Sequence, residues 1–211
     1  ALTTGTRAFD NPAATAIILD GDGHTIDGGG NDNGSVLSVA AGTTAGVRDV
    51  TLTHGSAPVG GGIYNGGTLT VEGSRITDNV ADFSGGGVYS LGRLTILNTM
   101  ISDNRADYGG GIYLSGEVEA MTVQNSTLAR NEARVEGGGL QAVTSADRAQ
   151  EIALTNVTLD GNLSPNGPAG AQFIAGDGGE LTITISASRL VNNIGYRGAL
   201  SLIGSGVAEM T

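Results

Sequence analysis

The chain has 211 residues, a formal net charge of −11 at pH 7 and no cysteine, which excludes a disulfide framework and a thiolate metal site. Its 21 acidic residues outnumber ten basic residues, all of them arginine, and such an acidic surface repels nucleic acids and anionic lipids. No run of about 18 apolar residues is present to insert into a membrane. The 37 glycines lack the collagen period, which indicates that they punctuate a repeated backbone.

The N-terminal residues carry weak versions of a repeat. Residues 17–28 predict one coil, residues 35–38 predict a strand, and residues 50–55 match a segment that later ends in asparagine. We expect residues 1–54 to form degenerate coils.

Regular repeats span residues 55–193 and combine three signals with one period of roughly 25 residues. A glycine triplet followed by an aliphatic residue recurs at residues 60–63, 85–88, 109–112 and 137–140. Apolar-polar-apolar segments, typical of half-buried strands, follow at residues 69–71, 94–96, 121–123, 152–154 and 183–185. An aliphatic residue then stands three positions before an asparagine, at Asn79, Asn104, Asn131, Asn162 and Asn193. Each coil should therefore contain three short strands.

Stacked coils bury a shared core that no short strand could bury alone. We predict an all-β fold, a right-handed single-stranded parallel β-helix of about eight coils. One inner column should contain Ile63, Val88, Ile112, Leu140, Ala171 and Ala199. The asparagines are predicted to be structural, because asparagine tolerates the left-handed corner and its amides can hydrogen-bond along the axis.

The last residues, 194–211, predict an incomplete final coil. Before them, the surplus residues 143–150 of one long coil predict a protruding loop. We expect residues 1–211 to be a single β-helix domain, a fragment of a longer polypeptide with further domains.

The pairing of the glycine-triplet element with the aliphatic-x-x-asparagine element resembles the tandem repeats of chlamydial polymorphic outer membrane proteins and related bacterial right-handed β-helix repeat proteins, which have a pectin-lyase-like fold. This resemblance implies a secreted or surface-displayed structural or adhesive domain, located outside the cell or at its surface. It also implies a surface protein or glycan of a host or neighbouring cell as partner.

Three tyrosines, Tyr64, Tyr89 and Tyr113, follow the inward aliphatic residue of successive coils and should form an outward file about 4.8 Å apart. An exposed aromatic ladder could bind sugar rings, which makes a carbohydrate-binding module the first alternative function. The structural alternative is that the tyrosines only stack on one another and support the sheet. The same file continues as Gln141 and Gln172.

Two groups of aspartates are candidate metal ligands, and no cofactor is required by the sequence. One group is the acidic, glycine-rich segment with Asp20, Asp22 and Asp27; the other comprises the equivalent pairs Asp78 with Asp103 and Asp82 with Asp107. Hard carboxylate oxygens suit Ca²⁺. Arg130 and Arg134 follow as third members of the two paired files, so exposed ion-pair ladders are the alternative to calcium.

A polysaccharide lyase or hydrolase is the second alternative, because such enzymes share the predicted fold. A lyase needs a strong base beside carboxylates, and a hydrolase needs paired carboxylates around the glycosidic bond. The sequence has no lysine and no adjacent pair of aspartates. We therefore name no catalytic residue, and the prediction leans towards a protein without catalytic activity.

Overall fold

A computed structural model of the chain describes residues 6–11, 16–30, 34–116, 118, 120–145 and 148–204, and the backbone alone of residues 206–210. These parts contain strands and no α-helix, and thus no helix that could span a bilayer. The strands in chain order are β1 (Arg7–Phe9), β2 (Ile17–Asp20), β3 (Thr25–Asp27), β4 (Leu37–Val39), β5 (Thr44–Arg48), β6 (Thr51–Thr53), β7 (Ser56–Val59), β8 (Ile63–Asn65), β9 (Thr68–Glu72), β10 (Arg75–Thr77), β11 (Val80–Ser84), β12 (Val88–Ser90), β13 (Leu94–Leu97), β14 (Met100–Ser102), β15 (Arg105–Tyr108), β16 (Ile112–Leu114), β17 (Ala120–Gln124), β18 (Thr127–Ala129), β19 (Glu132–Glu136), β20 (Leu140–Thr144), β21 (Ala149–Thr155), β22 (Thr158–Asp160), β23 (Leu163–Ser164), β24 (Ala171–Ala175), β25 (Glu180–Ser186), β26 (Arg189–Val191), β27 (Ile194–Gly195), β28 (Leu200–Ile203) and β29 (Gly206–Met210).

The strands form four parallel sheets that the chain visits in turn, which makes a right-handed β-solenoid. Sheet I contains β1, β4, β8, β12, β16, β20, β24 and β28; sheet II contains β2, β5, β9, β13, β17, β21, β25 and β29; sheet III contains β3, β6, β10, β14, β18, β22 and β26; sheet IV contains β7, β11, β15, β19, β23 and β27. Sheets I and II each have eight strands, in agreement with the predicted number of about eight coils.

The prediction of three strands per coil is wrong, because sheet IV supplies a fourth. Its inward residues are small and buried, namely Ala57, Ala81, Ala106, Ala133 and Ser164. Without large aliphatic residues at alternate positions, this sheet leaves no clear period-two pattern in the sequence.

Stacked aliphatic side chains fill the interior, as the repeat predicts. In sheet I, Ile63, Val88, Ile112, Leu140 and Ala171 pair in successive strands and are buried. The expected last member, Ala199, is wrong by one residue, since Leu200 is the partner of Ala171. The segment before Leu200 has no glycine triplet, so no motif fixed the register of this last strand.

Asparagine side chains connect the coils at the corner between sheets III and IV. The Nδ2 atoms of Asn79, Asn104, Asn131 and Asn162 donate to the Oδ1 atom of the next asparagine, ending at Asn193, over 2.9–3.1 Å. The left-handed residue at this corner is the one before each asparagine, and not the asparagine itself, as Asp78 (φ 57°) and Asp103 (φ 60°) show. This arrangement turns the amide inward, and the first four asparagines of the ladder are buried.

The expected loop at residues 143–150 is also wrong for the described part of that segment. Val143 and Thr144 extend β20, while Ala149 and Gln150 begin β21. Thr144 donates a hydrogen bond of 3.1 Å to the Oε1 atom of buried Gln150. The surplus residues therefore lengthen two strands that pair with equally long strands of the next coil. Residues 146 and 147 lie outside the described residues.

Candidate ligand-binding surface

The predicted tyrosine file lies on the outer side of sheet I. Tyr64 pairs with Tyr89, and Tyr89 with Tyr113, in β8, β12 and β16. The ring centroids are 5.7 and 5.5 Å apart, with interplanar angles of 17° and 1°. Because Tyr89 is stacked on both faces, and Tyr64 and Tyr113 on one face each, the file presents mainly ring edges and hydroxyl groups to its surroundings.

A left-handed glycine precedes each of these strands and brings the backbone close to the tyrosines. Gly85 has φ 68°, and a Cβ atom there would lie 2.8 Å from the Cα atom of Tyr89. All three tyrosines are half-buried. Burial is the main cause that raises the pKa of Tyr113 above its usual value, and the neighbouring Tyr89 and Tyr108 raise it further. Tyr113 therefore stays a neutral hydrogen-bonding phenol at physiological pH.

Two further aromatic residues lie on the strands that lead from sheet IV into sheet I. Tyr108 ends β15 and is 37% exposed, and Phe83 in β11 is 60% exposed. Between paired positions, β11 has one residue more than β15, and such a bulge redirects side chains. Four of the chain's five tyrosines and one of its three phenylalanines thus lie on neighbouring coils. We call Tyr64, Tyr89, Tyr113, Tyr108 and Phe83 the aromatic surface.

Amide side chains continue the tyrosine file on the next two coils. Gln141 pairs with Tyr113, and Gln172 pairs with Gln141. Both glutamines are buried, and the Nε2 atom of Gln141 donates to the Oε1 atom of Gln172 over 2.6 Å. The half-buried carboxylate of Glu136 lies 3.5 Å from the same Nε2 atom. The file therefore passes from aromatic to polar along the solenoid axis.

The N-terminal candidate metal ligands form separate contacts. Asp20 accepts hydrogen bonds from Arg48 Nε (2.9 Å) and Nη2 (2.6 Å), and this arginine is the main reason for the lowered pKa of Asp20. The backbone N–H of Asp22 donates to Asp20. The carboxylate of Asp27 lies 3.1 Å from Nδ1 of His54. The pKa of Asp27 is lowered mainly by the hydrogen bond from the backbone N–H of Gly29, and to a smaller extent by His54.

In both paired files, arginine of the third coil contacts the second aspartate. Arg130 donates from Nε and Nη2 to the two carboxylate oxygens of Asp103, both over 2.7 Å, and this pairing lowers the pKa of Asp103. Arg134 pairs with Asp107 and also donates to the backbone carbonyl oxygen of Asp82 over 3.0 Å. The exposed files therefore contain ion pairs.

The remaining candidate, Asp78, accepts a hydrogen bond of 2.9 Å from Thr77 Oγ1. Within the described residues, no three side chains of histidine, aspartate or glutamate come together as a possible metal site. Ca²⁺ binding stays a prediction for the chain.

The sequence-based prediction missed Phe83, Tyr108 and Glu136. A signal was present, because Tyr108 and Glu136 immediately precede a glycine triplet and Phe83 stands two residues before one. Tyr108 and Glu136 pair with each other at this position, whereas Ser84 at the same position of β11 is buried. The signal could have been recognised once sheet IV was counted as a strand.

The stacked sheets and the outward aromatic file together define a parallel β-helix with a candidate ligand-binding surface on one side. The sequence matches the family model of the right-handed β-helix region over residues 7–164, and the chain belongs to that family. Comparison with curated proteins and with solved structures gave no significant match. The family fits a structural or carbohydrate-related domain.

Proposed function

We propose that this chain is a secreted or surface-displayed adhesive domain, in which the β-helix is a rigid scaffold and the aromatic surface contacts the ligand. The observation that carries this proposal is the concentration of aromatic residues beside one sheet, with Phe83 60% exposed. Exposed aromatic side chains are typical of recognition surfaces, because they give large contact areas at low entropic cost.

The charge of the chain and the resemblance of its repeats support this proposal. A net charge of −11 disfavours nucleic acid and anionic lipid as partners, which leaves proteins and glycans. The repeats resemble those of bacterial surface proteins, whose β-helices display adhesive surfaces outside the cell. A polysaccharide-cleaving activity is the alternative, and release of reducing ends or unsaturated products from uronate polymers would favour it.

The experiment is a solid-phase binding assay against immobilised extracellular-matrix proteins and oligosaccharides. The double substitution Phe83→Ala, Tyr108→Ala should weaken binding at least about tenfold to whichever ligand the wild-type protein binds. Aromatic contacts of this kind contribute more than about 1 kcal/mol each. Tyr196→Ala is the matched control, because Tyr196 is 82% exposed and lies outside the aromatic surface. Equal binding by the double variant and the wild type would refute the proposal.

A further inference from the structure

We propose that the aromatic surface ends in a polar subsite, formed by Glu136, Gln141 and Gln172, that binds hydroxyl groups of a neutral saccharide. This inference rests on the ligand-binding role proposed above and names the chemical class of the ligand. It is carried by the hydrogen bonding of two buried amides.

Two buried hydrogen-bonding atoms of these glutamines have no partner in the part of the chain that the structure describes. Gln141 is 2% and Gln172 is 0% exposed, yet the Oε1 atom of Gln141 and the Nε2 atom of Gln172 have no partner within the described protein. Buried polar groups are nearly always paired, and leaving one unpaired is costly. These are the only such side-chain atoms found among the described residues. The pair therefore marks a site that another molecule completes.

The unpaired atoms comprise one acceptor and one donor. Turning both amides by 180° would exchange the atoms but leave the same combination, so the conclusion does not depend on how the amides are assigned. A hydroxyl group fits this combination because it both donates and accepts. Carboxylate, sulfate and phosphate groups only accept, and an ammonium group only donates.

Glu136 favours a neutral ligand over an acidic one. Its carboxylate accepts hydrogen bonds and lies 3.5 Å from the Nε2 atom of Gln141. A uronic acid brought to this point would meet a like charge in a protein of net charge −11. The hydroxyl groups of a neutral sugar can instead donate to Glu136.

The subsite lies in line with the tyrosine file. Gln141 is one coil, about 4.8 Å, beyond Tyr113, and Glu136 pairs with Tyr108 in sheet IV. An extended ligand that follows the solenoid axis would therefore pass the ring edges and hydroxyl groups before it reaches the amides. Because the amides are buried, the groups that cover them have to move when the ligand hydroxyl enters.

The test uses the full chain on an array of neutral oligosaccharides of glucose, galactose, mannose and N-acetylglucosamine, beside uronic acid oligosaccharides. Wild-type protein should bind one or more neutral glycans. Gln141→Met and Gln172→Met, which keep the side-chain volume, should each weaken that binding about tenfold, the effect of losing one hydrogen bond. Gln124→Met, on the exposed face of sheet II, is the matched control.

Glu136→Gln keeps the size of the side chain but removes its charge. This variant should retain neutral glycan binding and improve binding of the uronic acid probes. If a methionine variant fails to fold, as a thermal melt would detect, Glu136→Gln still tests the subsite. A uronate preference of the wild-type protein, or unchanged neutral binding in both methionine variants, would overturn the inference.

Two outcomes separate the subsite from the adhesive role. If no saccharide binds, while binding to a matrix protein is lost in the Phe83→Ala, Tyr108→Ala variant, the adhesive role stands and the subsite is refuted. A crystal soaked with the bound neutral glycan should place a sugar hydroxyl against Gln141 and Gln172. A water molecule on both amides, with the sugar elsewhere, would also refute the subsite.

Discussion

Replacing Asn104 by alanine would test how strongly the asparagine ladder holds the coils together. Asn104 is 1% exposed, and its side chain makes four hydrogen bonds. Its Oδ1 atom accepts from the backbone N–H and the Nδ2 atom of Asn79, and its Nδ2 atom donates to the Ile76 carbonyl oxygen and to Asn131 Oδ1.

The loss should exceed that of an ordinary hydrogen bond because the partners remain buried. The backbone N–H of Asn79 would lose the bond that it makes to Asn104 Oδ1, at a cost of about 1–3 kcal/mol for an unsatisfied group. The other three bonds of the Asn104 side chain add about 1 kcal/mol each. This cost is smaller where the partner atom keeps a second hydrogen bond. We expect the free energy of unfolding to fall by about 3–5 kcal/mol.

The assay is urea unfolding followed by circular dichroism, with Gln124→Ala as the control. Gln124 is exposed on sheet II, so its substitution should change the unfolding free energy by no more than about 0.5 kcal/mol. A loss below about 1 kcal/mol for Asn104→Ala would refute the argument, since the ladder would then align the coils without stabilising them.

Two further substitutions test the glycine corners and the exposed ion pairs. A Cβ atom on Gly86 would lie 2.5 Å from the carbonyl oxygens of Arg105 and Gly110 in the next coil, so Gly86→Ala should prevent stable folding. A Cβ atom on Gly46 would meet only a side-chain carbon at 3.7 Å, so Gly46→Ala should leave the melting temperature unchanged or higher. Folding of Gly86→Ala at wild-type stability would contradict this reasoning. Asp103→Asn should destabilise the protein at pH 7 by less than about 1 kcal/mol, because the Arg130–Asp103 pair is exposed. The folded-state pKa of Asp103 is lowered, so its contribution is present above the unfolded-state pKa of about 3.9 and is lost as the pH falls through the folded-state value. Urea unfolding should therefore show a larger difference between Asp103→Asn and wild type at pH 7 than at pH 2, and an equal difference at both would exclude the ion pair as its cause.

The sequence predicts the parts of the fold that large side chains and repeated motifs mark. Leu69, Leu94 and Met121 pair in register as their alternating segments indicate, because each fills the interior of one coil. Sheet IV escaped prediction because its inward residues, such as Ala81 and Ala106, are small. The left-handed residue was assigned one position late, because the identity of an asparagine does not say whether its backbone or its side chain makes the corner.

The candidate surface was predictable in position but not in character. Alternation places Tyr89 outward, yet only the structure shows that its ring is covered on both faces by Tyr64 and Tyr113. Gln141 follows the same outward pattern and is nevertheless buried, in contact with the side chains of Glu136 and Gln172. Burial of an outward residue depends on such surroundings, which a repeat pattern does not encode.

The glycine triplets restrict how the length of this solenoid can change. The backbone of one triplet packs against the next, so that a Cβ atom on Gly87 would lie 2.6 Å from the carbonyl oxygen of Gly111. Inserting one residue within a triplet would break this contact, whereas duplicating a whole coil would restore it. A lineage could therefore lengthen the tyrosine row in steps of about 4.8 Å by duplicating a single coil, and extend its reach along a ligand without altering the scaffold.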